Sequence, residues 1–386
     1  MKIKFKNLGP IDNGEIDFND LKGINLIIGK NNTGKTYLSN FIYTVLRNIR
    51  IERMLKIDDL NKKIRSMGKR EGDNFSDELR ETDLPFVFHT NKNRFENTKI
   101  NIEFDEKDKF TENEKYFLEN IEINNVCCFP AERSGAILFY NQLLENRNNI
   151  LRQLELSQDI NLLKNISRYS EPVNEYIIRL NKLEEYENKE ETEIYRNLVK
   201  NIDIQNIIEG EIIIKSNQII YKNENDLELN MGLVSSTVKT LAGFFLYLKY
   251  QAQKGDIVFI DEIELNLHPE NQRKLVKLIN YLSKQGIKFI ISTHSPIITE
   301  EIDNMLLFEK VKNKISKEEM KEYQLNEEYG LKSSDINVFH LHNKTVEKIK
   351  ENNGEFEIET FNSVLEETDN LYQTLLVYAE GNNFGE

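Results

Sequence analysis

The chain has 386 residues, with 51 Lys and Arg against 65 Asp and Glu, giving a formal net charge of −14. That balance argues against a protein that coats nucleic acid through charge alone, and 39% hydrophobic with 30% charged residues describes a globular chain long enough for one large domain or two. No apolar run approaches the ~20 residues that cross a bilayer, and the start MKIKFKN lacks a signal-like apolar segment, so a cytoplasmic protein with no membrane partner is expected.

In chain order, the first elements alternate: Ile3 and Phe5, then Ile16 and Phe18, around a Gly9-Pro10 turn predict two antiparallel strands. Ile24 to Ile28 is a short apolar run of buried-strand character. Leu38, Phe41, Ile42, Val45, Leu46 and Ile49 then recur at helical spacing. From Arg47 to Arg70 the chain is basic, which suits a solvated helix face better than a nucleic-acid contact. Cys127 and Cys128 are adjacent in an apolar stretch and point to opposite faces if it is a strand; with no metal-ligand spacing, buried thiols are expected. Residues 136–205 predict two or three helices with Pro172 as a breaker. Ile212–Ile214 and Ile219–Tyr221 around Ser216-Asn217 predict a hairpin, and Val234 to Ile298 reads helix, strand, helix, strand, an α/β unit with a parallel sheet. A strand at Ile336–Leu341, a turn at Asn352-Asn353-Gly354 and a helix near 360–378 close the chain.

Between the apolar run and the first helix, residues 29–36 read Gly29-Lys30-Asn31-Asn32-Thr33-Gly34-Lys35-Thr36, an ungapped G-x-x-x-x-G-K-[ST] loop. Strand, glycine-bearing loop and helix aim backbone N–H groups and a helix N-terminus at phosphate oxygens. Lys35 is expected to reach the β- and γ-phosphates and Thr36 to hold Mg²⁺. The chemistry needs a second acidic site, and Ile257-Val258-Phe259-Ile260-Asp261-Glu262 supplies it: a buried strand ending in Asp261 for the metal and Glu262 as general base. The string Phe289-Ile290-Ile291-Ser292-Thr293-His294-Ser295-Pro296 ends another strand in His294, a candidate γ-phosphate and water sensor. Ser235 or Ser236 would cap a helix whose buried face is Val238, Leu241, Ala242 and Phe245, and such a helix start can bind an anion.

Taken in order, these elements resemble ABC-type ATPase heads, which include SMC and RecF proteins, and most of all the OLD-like ATPases of bacterial phage-defence systems. The strings Phe129–Gly135, Leu233–Leu241 and Asp261–Gln272 carry the likeness, over roughly residues 1–50 and 123–300. The resemblance implies an α/β P-loop NTPase of ABC-head type, a mixed sheet with helices and an inserted helical lobe. Its implied division is a core of residues 1–50 and 206–345, an insertion with a Q-loop-like region at 51–135, a helical arm at 136–205 and a strand–turn–helix extension at 346–386. It further implies that Glu132 and Arg133 hold the Q-loop position, His294 the switch-histidine position, and Asn266-Leu267-His268-Pro269 the dimer-facing loop. The Ser235-Ser236 helix would contact the ATP of a second copy, in a homodimer sandwiching two nucleotides. Two departures stand out: Thr237 occupies the usual signature glycine position, and Asp-Glu-Pro is here Asp261-Glu262-Ile263.

The implied function is ATP hydrolysis with Mg²⁺, slow or partner-stimulated, that gates a separately encoded nuclease or toxin in antiviral defence. Too few residues follow His294 for a Toprim nuclease domain, and no Asp-x-Asp occurs there, so nuclease activity in this chain is not expected. The alternative is a RecF-like DNA-binding repair factor, so DNA stands as an open partner.

Overall fold

The computed structural model describes residues 2–54, 97–103, 123–157, 169–201, 205–323, 325–356, 358 and 367–377. The alternating start forms β1 (Lys2–Leu8) and β2 (Ile11–Asp17), an antiparallel pair with Ile3 opposite Ile16. β3 (Ile24–Gly29) is buried along its whole length and leads through the glycine-bearing loop into α1 (Lys35–Met54). Leu38, Phe41, Ile42, Val45 and Leu46 form the buried face of α1, as their spacing requires. β4 (Lys99–Glu103) returns to pair with β1. Of the basic stretch, everything beyond Met54 lies outside the described residues, and Arg47 is ion-paired with Glu171 at 3.5 Å and Glu175 at 3.4 Å.

β5 (Val126–Phe129) carries the two cysteines. Cys127 joins the core on one face of the sheet and Cys128 the core on the other, and both thiols are free and buried. Burial pushes Cys127 up to about 11, although the neighbouring Arg179 guanidinium pulls the other way.

The segment expected to form a helical arm holds α2 (Arg133–Ser157), α3 (Glu171–Leu180), α4 (Leu183–Glu187) and α5 (Glu193–Asn201), more helices than the sequence suggested, and α6 (Gln205–Ile208) follows at its end. Pro172 starts α3 and does not break a helix: it occupies the first turn, where its missing N–H has no intrahelical partner to lose. The predicted hairpin is β6 (Gly210–Lys215) and β7 (Gln218–Asn223), with Ser216 and Asn217 both at positive φ as a tight two-residue turn demands. β8 (Glu228–Asn230) adds a third strand, so this hairpin belongs to a separate small sheet.

The α/β unit follows as α7 (Ser236–Tyr250), β9 (Ile257–Ile260), α8 (Pro269–Lys284), β10 (Lys288–Thr293) and α9 (Pro296–Val311). α7 is buried on nearly every side, its Phe244 and Tyr247 meeting Phe129 edge-on at 5.4 and 5.8 Å. Gly243 is required there, because a Cβ would lie 2.2 Å from the Tyr176 hydroxyl of α3. The short helix α10 (Lys317–Glu322) precedes β11 (Ile336–His342) and β12 (Thr345–Ile349). β12 pairs with β11 and β2, so the main sheet continues past residue 345, where the extension was expected to begin. Residues 367–377 are helical, inside the span expected for the last helix.

The nine-stranded sheet runs β4-β1-β2-β12-β11-β3-β10-β9-β5. Its β11-β3-β10-β9-β5 half is parallel and its other end largely antiparallel, the mixed α/β sheet that was expected. No described helix is long and apolar enough to cross a membrane.

Candidate functional site

Four neighbouring parallel strands deliver the chemistry to one sheet edge. β3 ends in the phosphate-loop sequence, β10 in Thr293-His294, β9 in Asp261-Glu262 and β5 just before Glu132-Arg133. Their registers pair Ile28 with Thr293, Ile291 with Ile260, and Ile260 with Phe129, so the four ends are level. The carboxyl edge of an open parallel sheet is where such folds place ligands.

In the loop, Gly29, Gly34 and Lys35 are buried, Thr33 is half-buried, and Lys30, Asn31, Asn32 and Thr36 are exposed. Gly34 has φ +104°, and a Cβ there would lie 2.8 Å from Ile11 and 2.9 Å from Pro10, so glycine is required on both counts. Thr33 Oγ1 donates to the Lys30 carbonyl at 2.8 Å, closing the turn. Lys35 Nζ donates to the carbonyls of Gly29 at 2.8 Å and Lys30 at 2.9 Å, which curls its ammonium back over the cradle. Burial pulls this lysine below its ordinary value, opposed by the carboxylates of Glu264, Glu262 and Asp261. A polyanion in the cradle would add to that opposition.

Asp261 joins the two halves of the site. Its Oδ2 accepts from Thr36 Oγ1 at 3.1 Å, and its Oδ1 accepts from Ser292 Oγ. Adjacent ligands of an octahedral Mg²⁺ lie about 2.9 Å apart, so the Thr36 and Asp261 oxygens have the chemistry and separation of a shared-ion pair. Among the described residues no group of three or more His, Cys, Asp or Glu is placed to hold a metal ion.

Glu262 follows in left-handed backbone, φ +48°, a conformation that costs a non-glycine residue about 1–3 kcal/mol. Two side chains hold it there. Ser292 Oγ accepts from the Glu262 N–H at 2.8 Å, and Arg133 Nη2 donates to the Glu262 carbonyl at 2.7 Å. Arg133 Nη1 also donates to the Asp261 carbonyl at 2.5 Å and the Pro130 carbonyl at 3.0 Å. Arg133 is only 2% exposed and its guanidinium is engaged with backbone carbonyls, so at the Q-loop position that the resemblance implies it clamps the chain beneath the carboxylate pair. Burial lowers its proton affinity below the usual arginine range. Glu132 is exposed beside it, its carbonyl accepting from the Ala136 N–H at 2.9 Å in the first turn of α2. Arg133→Met should lower unfolding stability by about 4 kcal/mol or more, since it removes three hydrogen bonds to a charged donor, each worth roughly 1.5–3 kcal/mol. Urea denaturation checks this, and an unchanged midpoint would remove the clamp.

His294 is exposed at the end of β10, with Nδ1 2.9 Å from Glu264 Oε1. The same oxygen accepts from the His294 N–H at 2.6 Å, and Oε2 accepts from Thr293 Oγ1 at 2.8 Å. Sequence reasoning assigned Glu264 no role. The signal was its place two residues beyond Glu262, in an acid-rich loop that faces a strand ending in histidine.

The helix start behaves as predicted but uses its two serines differently. Ser235 is the N-cap of α7 and accepts from the Val238 N–H at 3.3 Å; Ser236 is exposed in the first turn. Among the described residues no hydrogen bond joins either serine to residues 29–36. Thr237, at the departure from glycine, donates its hydroxyl to the Asn266 carbonyl at 3.0 Å, while Asn266 Nδ2 donates to Thr240 Oγ1 at 3.2 Å. The substituted threonine therefore ties the start of α7 to the loop that follows the carboxylates. In that loop Leu267 is buried, and exposed His268 caps α8 ahead of Pro269.

Similar solved structures include the Smc head domain of Pyrococcus furiosus with an extended coiled coil, bound to the C-terminal domain of ScpA (12% identity, 95% of this chain and 98% of that one, TM-score 0.37). The SMC head domain of Thermotoga maritima is also similar (12% identity, 91% and 98%, TM-score 0.34). A third is an ATP-binding cassette of an ABC transporter in its ADP conformation (12% identity, 91% and 92%, TM-score 0.32). The model of the family described as "AAA domain, putative AbiEii toxin, Type IV TA system" matches residues 24–300, from the start of β3 to beyond His294, and the chain belongs to that family.

Proposed function

We propose that this chain binds and hydrolyses ATP at the carboxyl edge of β3, β10 and β9. The observation that carries the reading is the chain of contacts Thr36–Asp261–Ser292–Glu262, which fastens the phosphate loop, the candidate metal carboxylate and the candidate base into one unit. The loop N–H groups and the start of α1 would hold the phosphates, and Lys35 would exchange its two carbonyl partners for β- and γ-phosphate oxygens. Mg²⁺, held by Thr36 and Asp261, would screen charge as the terminal phosphoryl group is transferred. Glu262 would accept a proton from the attacking water as its oxygen bonds to the γ-phosphorus and the bond to the leaving oxygen of ADP breaks. None of the described residues hydrogen-bonds the Glu262 carboxylate, which keeps it available as an acceptor. His294 would accept a hydrogen bond from that water, or donate one to the γ-phosphate when its ring is protonated.

The start of α7 is exposed at Ser235 and Ser236, and in a head-to-tail homodimer each copy's Ser235-Ser236 turn would close the other's nucleotide. ATP would assemble the pair and hydrolysis would release it, gating a separately encoded effector. The family's description names a putative toxin and a toxin–antitoxin system, which supports an effector of that kind; antiviral defence is the setting that the sequence resemblance implies. Sedimentation velocity tests the gate. Glu262→Gln with Mg²⁺ and ATP should sediment as a dimer and return to monomer in EDTA, whereas a monomer under both conditions rules out the sandwich.

A further inference from the structure

We propose that Glu264 is a positioning residue for hydrolysis, holding His294 in the one tautomer that presents a lone pair to the phosphate site. This rests on the hydrolysis reading above. An ionised carboxylate offers no proton, and Glu264 Oε1 lies 2.9 Å from His294 Nδ1, so a lone pair on Nδ1 would face the carboxylate and the neutral ring is favoured with its proton on Nδ1. Nε2 then carries the lone pair. It has no hydrogen-bond partner among the described residues, and the ring is exposed at the edge that holds the phosphate loop. In this form Nε2 can accept a hydrogen bond from the attacking water, which the opposite tautomer could not.

The geometry is over-determined in a way that a chance surface contact is not. Glu264 is 8% exposed, and both its oxygens are occupied: Oε1 by the His294 backbone N–H and ring, Oε2 by Thr293 Oγ1. Thr293 Oγ1 in turn accepts from the Ser295 N–H at 3.0 Å, and Ser295 Oγ donates to Gln272 at 2.7 Å. The carboxylate therefore holds the backbone by a hydrogen bond and meets the ring at the same oxygen, so it fixes the path of the chain that carries the imidazole and faces its Nδ1. Residues 262, 264 and 266 thus serve three duties along one loop: the candidate base, the holder of His294, and the tie to the start of α7.

Two readouts separate positioning from a merely structural role. Nitrogen-15 NMR of histidine-labelled, nucleotide-free protein in mildly alkaline buffer reports the tautomer of each of the five histidines, with His294 assigned by its loss in His294→Ala. The wild type should show His294 as Nδ1–H. Glu264→Gln, which keeps an acceptor oxygen for the ring, should retain that tautomer, and Glu264→Ala should lose it. A wild-type Nε2–H signal would overturn the proposal without reference to turnover. In steady-state kinetics Glu264→Ala should lower kcat at least about 10-fold with KM for ATP little changed, the scale on which partners that orient a functional histidine act. The double variant Glu264→Ala/His294→Ala should match His294→Ala within about twofold, because a residue that acts through another adds nothing once that other is gone. A double variant a further 10-fold slower would mean that Glu264 acts elsewhere. A wild-type chain without turnover would sink the hydrolysis reading, and the NMR result would still decide the pairing.

Discussion

Lys35→Ala is expected to weaken ATP binding by at least ~100-fold, to the point where calorimetry detects no heat at ordinary protein concentrations. The ammonium is held by the Gly29 and Lys30 carbonyls, and in the proposed site it would exchange them for oxygens of two phosphate groups. Two charge-assisted hydrogen bonds at roughly 1.5–3 kcal/mol each amount to about 3–6 kcal/mol, and each 1.4 kcal/mol is a factor of ten. Burial already lowers the proton affinity of this lysine, so a nearby polyanion stabilises its charged form more than it would at a solvated surface. The fold should survive with some loss of stability, because the Lys30 carbonyl lies at an exposed residue while the Gly29 carbonyl is buried. Unchanged affinity in the variant would place the nucleotide elsewhere.

Glu262→Gln is expected to bind ATP with near-normal affinity and to turn it over ~100-fold or more slowly, the usual scale for loss of a general base. The substitution removes proton affinity and keeps shape. The backbone of residue 262 stays clamped by Ser292 and Arg133 because neither touches the side chain that changes. The strained φ at Glu262 is therefore a property of the frame, and its most direct consequence is where the carboxylate points. Near-normal turnover would identify another base.

Much of the site was legible because it rests on local patterns. The phosphate loop needs a fixed spacing of glycines, Lys35 and Thr36, and the Ile257–Ile260 strand announces the acids at its end. The hairpin at Ser216-Asn217 and the alternating start were equally local. What escaped were contacts between residues far apart in sequence. Arg133 touches Asp261 and Glu262 across 128 and 129 positions, and no periodicity reports that a guanidinium beginning one helix will serve another strand's carbonyls. Glu264 and His294 lie thirty positions apart, and only the parallel pairing of β9 with β10 brings them together. β12 was assigned to an extension because a short, half-exposed strand carries little pattern of its own; its partners β11 and β2 define it.

Phosphate release and nucleotide retention, measured side by side for the wild type, Lys35→Ala and Glu262→Gln, test the central claim most directly. The predicted result is release by the wild type alone, with nucleotide retained by Glu262→Gln and not by Lys35→Ala. Equal release from all three proteins would show that the edge formed by β3, β9 and β10 is not where ATP is hydrolysed.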